Sequence, residues 1–123
     1  MNKVQTANKV SQQQLTGATG QQITCLRFSG DISSASKDAV VGTYQALDKT
    51  AHKHILLDFK AVEYLNSSGI ALVIQVLMEA SKSSQTVAIC GLTPHFTKVF
   101  TMVGITKYTT LHEDEATACA AFE

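Results

Sequence analysis

Few residues in this chain are of a type and spacing that could do chemistry, and most of them lie close together. Asn66-Ser67-Ser68-Gly69 sets three short hydrogen-bonding side chains in a row before a glycine, directly ahead of the apolar run 70–80 (IALVIQVLMEA). Asn and Ser side chains accept hydrogen bonds from the free N–H groups that open a helix, and one such cap is enough. Two of the three are therefore surplus. Either they are redundant caps, of the kind common at helix starts, or one serine is displayed where backbone N–H groups and the helix dipole would stabilise a phosphate on its hydroxyl. Spacing alone leaves both readings open.

The other candidates are weaker. Asp58, near the end of the apolar run 54–59 (HILLDF), has the strand-end position of a phospho-accepting aspartate. No acidic pair follows an earlier strand to hold a magnesium ion, and Asp31 stands alone there. His52 and His54 are two apart, with no Cys, Asp or Glu within three residues to complete a metal site, so they read as solvated or edge histidines. His95 and His112 sit next to helix ends and need no special role. Cys25, Cys90 and Cys119 are odd in number, far apart and flanked by small or apolar residues, as expected of buried free thiols. There is no Gly-x-Ser-x-Gly elbow and no Gly-x-x-x-x-Gly-Lys-Ser/Thr phosphate loop. The expectation is a protein that is not an enzyme and uses neither metal nor cofactor.

These residues need a frame to hold them. At 123 residues with 45% hydrophobic content the chain fits one domain, large enough to build a core without disulfides. Ten basic residues balance ten acidic ones, and Arg27 is the one arginine. Nucleic acid is thereby excluded as a partner, since binding there requires several phosphates to be neutralised. No basic run points to direct membrane binding. The lack of a secretory or membrane-spanning apolar run points to the cytoplasm.

Residues 1–20 read as a polar tail or an edge strand ending near Leu15, and 21–123 as the folded domain. Strands are expected at 23–28, 54–59, 86–89 and 108–111. Helices are expected over 34–47 with Ser34 or Ser36 as cap, over 70–80, from Pro94 to a glycine cap at Gly104, and over 114–122. This alternation is that of an α/β sheet with right-handed crossovers. Ile55, Leu57, Ile74, Leu77, Val87, Phe100 and Val103 are expected to form one core. Ligands of such sheets gather beyond the carboxyl ends of the strands, which is where the turn at 66–69 falls. The helix after it is apolar over far more than the one stripe a surface helix needs. Either neighbouring helices bury the excess, or it is a patch for a partner beside Ser67.

Gly30-Asp31-Ile32 after a strand, then HILLDFKAVEYLNSSGIALV, then VAICGLTPHFTKVFTMVGI, resemble the STAS domain of anti-sigma-factor antagonists over residues 23–122. The most specific part runs from Leu57 through Asn66-Ser67-Ser68-Gly69 to Val73. It is similar to the family's Asp-Ser-Ser/Thr-Gly phosphorylation loop, preceded by an Asp-x-x-x-Val segment that falls here on Asp58 to Val62. The resemblance implies a four- or five-stranded mixed sheet with about four helices mainly on one side. It also implies a partner switch, in which an anti-sigma factor with serine-kinase activity phosphorylates Ser67 and a PP2C-type serine phosphatase reverses it. Asn66, Ser68, Gly69 and Asp58 would then form the phosphorylation loop, and Asp31, Ile70, Leu72, Val73 and Val76 the partner surface. A non-switching STAS scaffold, or a regulatory subunit of a larger complex such as a transporter, is the alternative. One departure stands out: Asn66 replaces the family's aspartate, which removes a charge beside the acceptor but keeps an equally good helix cap.

Overall fold

The computed structural model describes residues 9–122. Five strands form one mixed sheet in the order β1-β2-β3-β4-β5: β1 (Lys9–Thr16), β2 (Gln22–Ile32), β3 (His54–Leu65), β4 (Thr86–Cys90) and β5 (Thr110–His112). β1 is an antiparallel edge strand on β2, and every other neighbour is parallel. Because spatial order follows chain order, the three crossovers all step the same way. Right-handedness then puts all their helices on one face. These are a helical segment ending in α1 (Thr43–Gln45), the long α2 (Ser67–Lys82) and α3 (Pro94–Met102). α4 (Glu115–Ala121) follows the last strand, is free of that constraint, and packs on the other face. The mixed sheet with helices mainly on one side is therefore a consequence of topology.

The main core lies on the crossover face, where Ile55, Leu57, Leu77, Val87 and Phe100 meet as expected. Ile74 is only half-buried and Val103 is 50% exposed, so Val103 does not belong to it. Val103 is the residue on which α3 ends, and Gly104 after it takes the left-handed conformation (φ 85°) that closes the helix. The second core, behind the sheet, gathers Ile23, Cys25, Leu56, Ala88, Cys90, Ala118 and Phe122. All three cysteines are free, with Cys25 and Cys90 buried and Cys119 half-buried. Neither His52 nor His54 is a solvated side chain. His52 Nδ1 lies 2.7 Å from the Thr24 hydroxyl, and the half-buried His54 ring packs edge-on against Phe122.

Two elements depart from expectation. The first helix is a 3-10 turn (Ser34–Ser36), a π-helical turn (Asp38–Gly42) and the single turn α1, and Ser33 rather than Ser34 or Ser36 caps it. Adjacent β-branched Val40 and Val41 followed by Gly42 are poor α-helix formers. Burial of Val40, Val41, Tyr44 and Leu47 holds the segment in place.

The second departure positions the site. β3 does not stop at Phe59 but runs six residues further, pairing with the end of β2 after β4 has ended at Cys90. Residues 60–65 (KAVEYL) are exposed apart from Val62 and Leu65, because among the strands only β2 pairs with them. Arg27 and Ser29 of β2 match Asp58 and Ala61 of β3, and Gly30 and Asp31 match Val62 and Tyr64, so β3 carries one extra residue at each step. Such bulges bend and twist a strand. The Asp58 carboxylate accepts the Lys60 N–H at 2.8 Å, satisfying a donor at the first bulge. Gly91 packs against the same place in a left-handed conformation (φ 82°), where a Cβ would come within 2.6 Å of the Lys60 nitrogen. The β2–β3 ribbon thus leaves β4 behind and carries residues 66–69 beyond the sheet.

Candidate functional site

At the tip of that ribbon Asn66 is the N-cap of α2. Its side chain accepts the Gly69 N–H at 2.8 Å, and its own N–H donates to the Ile32 carbonyl at 3.3 Å. The helix therefore starts flat against the end of β2. A Cβ on Gly69 would sit 2.3 Å from the Ile32 oxygen, so glycine is required there by space alone. With the cap supplied by Asn66, Ser67 and Ser68 occupy the first two helical positions, both exposed. The Ser67 hydroxyl makes no hydrogen bond within the described residues. It stands at the positive end of a sixteen-residue helix whose first N–H groups lack helical partners.

The phase set by this cap decides which side chains face out. Gly69, Val73, Val76, Leu77 and Ala80 point into the core. Val73 and Val76, at 0% and 1% exposed, are thus not part of any surface, correcting their expected place on a partner face. At 100° per residue the side turned away from the core carries Ser67, Ala71, Gln75, Met78 and Lys82, with Ile74 at its margin packed against the core. Ala71 and Met78 are exposed, Met78 by 43%, while Ile74 and the flanking Ile70 and Leu72 are half-buried. Asp31 is half-exposed and pairs in register with Tyr64, which is 55% exposed and three residues before Ser67. Asp31, Tyr64, Ser67 and the outward line of α2 therefore converge on one end of the molecule. Sequence reasoning missed Ala71, Ile74, Met78 and Tyr64. Taking Asn66 as cap and Gly69 as the inward residue would have fixed the phase and found the first three.

Asp58 is not in this loop. It lies seven positions before Leu65 on β3, roughly 20 Å at the usual strand rise, and on the opposite face. Leu57 and Phe59 belong to the crossover-side core, whereas Leu56 and Asp58 face α4. There Asp58, 7% exposed, lines a cleft of about 660 Å³ with Arg27, Lys60, Gly91 and Glu115. Arg27 donates from Nε and Nη2 to the two Glu115 oxygens at 2.6 and 2.8 Å, and from Nη1 to Gln13. The Cys25 thiol donates to Glu115 as well, at 3.7 Å. Burial pushes the Asp58 carboxyl up to about 6, with the nearby Glu115 adding to the shift. The Arg27 hydrogen bond holds Glu115 below the usual carboxylate range. Among the described residues no group of three or more His, Cys, Asp or Glu is arranged to hold a metal ion.

The STAS family described as "Mlab, STAS domain" matches residues 15–113. The chain belongs to the STAS-domain family. BtrV of Bordetella bronchiseptica, provisionally named an anti-sigma factor antagonist, is 25% identical over 104 residues, covering 85% of this chain and 88% of that protein. The crystal structure of an anti-sigma factor antagonist from Mycobacterium paratuberculosis superposes with a TM-score of 0.74 at 17% identity, over 91% of each chain. That of SpoIIAA in its unphosphorylated form, the Bacillus cell fate determinant and an anti-sigma factor antagonist, does so with a TM-score of 0.66 at 15% identity, over 89% of this chain and 93% of that one. At these identities the two structures establish the fold, which for this STAS domain is the five-stranded mixed sheet with four helices. Among the described residues no helix is long and apolar enough to cross a membrane.

Proposed function

We propose that this STAS domain is an anti-sigma-factor antagonist working as a phosphorylation-controlled partner switch. It is non-catalytic and binds an anti-sigma factor with serine-kinase activity while Ser67 is free. The observation that carries this reading is the Ser67 hydroxyl itself: exposed, relieved of capping duty by Asn66, and on the same side of α2 as the exposed apolar Ala71 and Met78, with the half-buried Ile74 at the margin. A phosphate on Ser67 adds about −1.5 to −2 charges. On a helix start it is locally welcome. In an interface with Ala71, Ile74 and Met78 it must be desolvated without a counter-charge, at a cost of several kcal/mol. The partner is released, and a PP2C-type phosphatase restores binding.

The test is titration calorimetry against a candidate anti-sigma factor with serine-kinase activity, with phosphate uptake followed by mass spectrometry. Ser67→Ala is expected to bind and to be blind to ATP, Ser67→Asp to bind more weakly, and Met78→Glu to bind weakly whatever stands at 67. No phosphate at Ser67, or equal binding by the Ala and Asp variants, sinks the switch and leaves the constitutive scaffold reading. Asn66→Asp, which returns the family's charge next to the acceptor, is then the substitution to try.

A further inference from the structure

The cluster behind the sheet plays no part in that switch, and it is built as a device of its own. Asp58 is faced by Cys25 and Arg27 from β2, Cys90 from β4 and Glu115 from α4, with Lys60, Glu113 and Asp114 along the cleft and His112 of β5 in register with Cys90. Lys60 is exposed, so one guanidinium serves two inner carboxyls, and its Nε, Nη1 and Nη2 are already engaged by Glu115 and Gln13. The protonated Asp58 O–H can donate to Glu115, whereas an ionised Asp58 repels it. Both thiols stay neutral while Asp58 titrates, since burial pushes Cys25 up to about 12 and Cys90 higher still.

α4 has little else to hold it. It has seven residues, and its buried anchors are Ala118 and Phe122 just past its end. We propose that α4 is a pH-gated clasp, closed on the sheet while the Asp58 carboxyl carries a proton and donates it to Glu115, and loosened when that proton leaves. Loosening would uncover Ile23, Cys25, Leu56, Ala88 and Cys90, the back of the sheet. The direction follows from linkage: the closed form keeps a proton that the open form gives up between pH 3.8 and about 6. Closure is therefore firmest in mild acid, weakens as pH rises through that interval, and is level above it. In the closed form Glu115 is held low by Arg27 and stays ionised throughout it. The device does not depend on Ser67 or on any partner.

Amide exchange measured by NMR, corrected for intrinsic rates, tests this on the whole chain. Protection in residues 116–121 is expected to fall about tenfold from pH 5 to pH 8 relative to β3, as the shift from 3.8 to about 6 requires. In Asp58→Asn the side-chain amide can still donate to Glu115 and its carbonyl can still accept the Lys60 N–H, so protection should not change with pH. Constant protection in the wild type overturns the proposal. So does an equal fall in the variant, which would assign the effect to a group other than Asp58. Should the variant not fold, carbon-13 titration of Asp58 in the wild type decides: a midpoint near 6 supports the clasp, and one near 4 overturns it.

Discussion

The two faces of the sheet are held by different physics. On the crossover side nineteen buried apolar residues form one continuous core, and the Ser67 site rides on its rim. Behind the sheet a core of seven residues, the Cys25 thiol among them, is helped by an arginine and two carboxyls. Apolar packing is indifferent to pH and charge, and it fixes a surface that can be changed chemically without disturbing what lies beneath. A small core closed by charged groups answers to proton concentration. Stability sits with the first face and responsiveness to solution conditions with the second.

Substitutions can break that contrast. The largest effect is expected from Val76→Glu, which buries a carboxylate with no partner and should cost about 3–5 kcal/mol, enough to abolish cooperative urea unfolding. A folded Val76→Glu protein would mean that the inward face of α2 is misassigned. Gly69→Ala drives a methyl into the Ile32 carbonyl and should cost about 1–3 kcal/mol, read as a lowered urea midpoint; an unchanged midpoint would mean that α2 does not start against β2. Arg27→Ala opens the rear cluster, but the side chain is 35% exposed and solvent screening holds the loss to about 1 kcal/mol. Because Arg27 lowers the Asp58 pKa, its removal should also move the Asp58 midpoint upward in an NMR titration, and a downward move would contradict the cluster. The smallest effects belong to the rim. Ser67→Ala and Met78→Glu should each change unfolding by less than about 0.5 kcal/mol, whereas Asn66→Ala, which removes the working cap, should cost about 0.5–2 kcal/mol.

How much of this could be read from residue order differs from one element to the next. Strands and helices with their own periodicity, such as 54–59 and α2, stand in the sequence because local pattern and burial agree. The extension of β3 through residues 60–65 does not, since pairing with β2 creates it and a ribbon open on one side keeps its polar residues. That Asn66-Ser67-Ser68-Gly69 opens a helix was legible, but not which residue served as cap; that choice set the phase of α2 and turned Val73 and Val76 inward, leaving Ala71 and Met78 exposed. For Asp58, a carboxylate inside an otherwise apolar strand and a single arginine in the strand beside it were both visible. Their common partner, Glu115, lies 88 residues from Arg27, and only the fold brings it there.

The seat of Gly69 on Ile32 bears on what kind of message residue 67 can send. A helix start that touches the neighbouring strand so closely that a methyl group has no room cannot tilt, slide or unwind to announce a new substituent. On the proposed reading, a phosphate attached to the serine would change what the outside world meets and leave the scaffold as it was. The signal would be written in ink on a fixed page, to be read by contact and erased by hydrolysis. Its range extends no further than the molecule pressed against it.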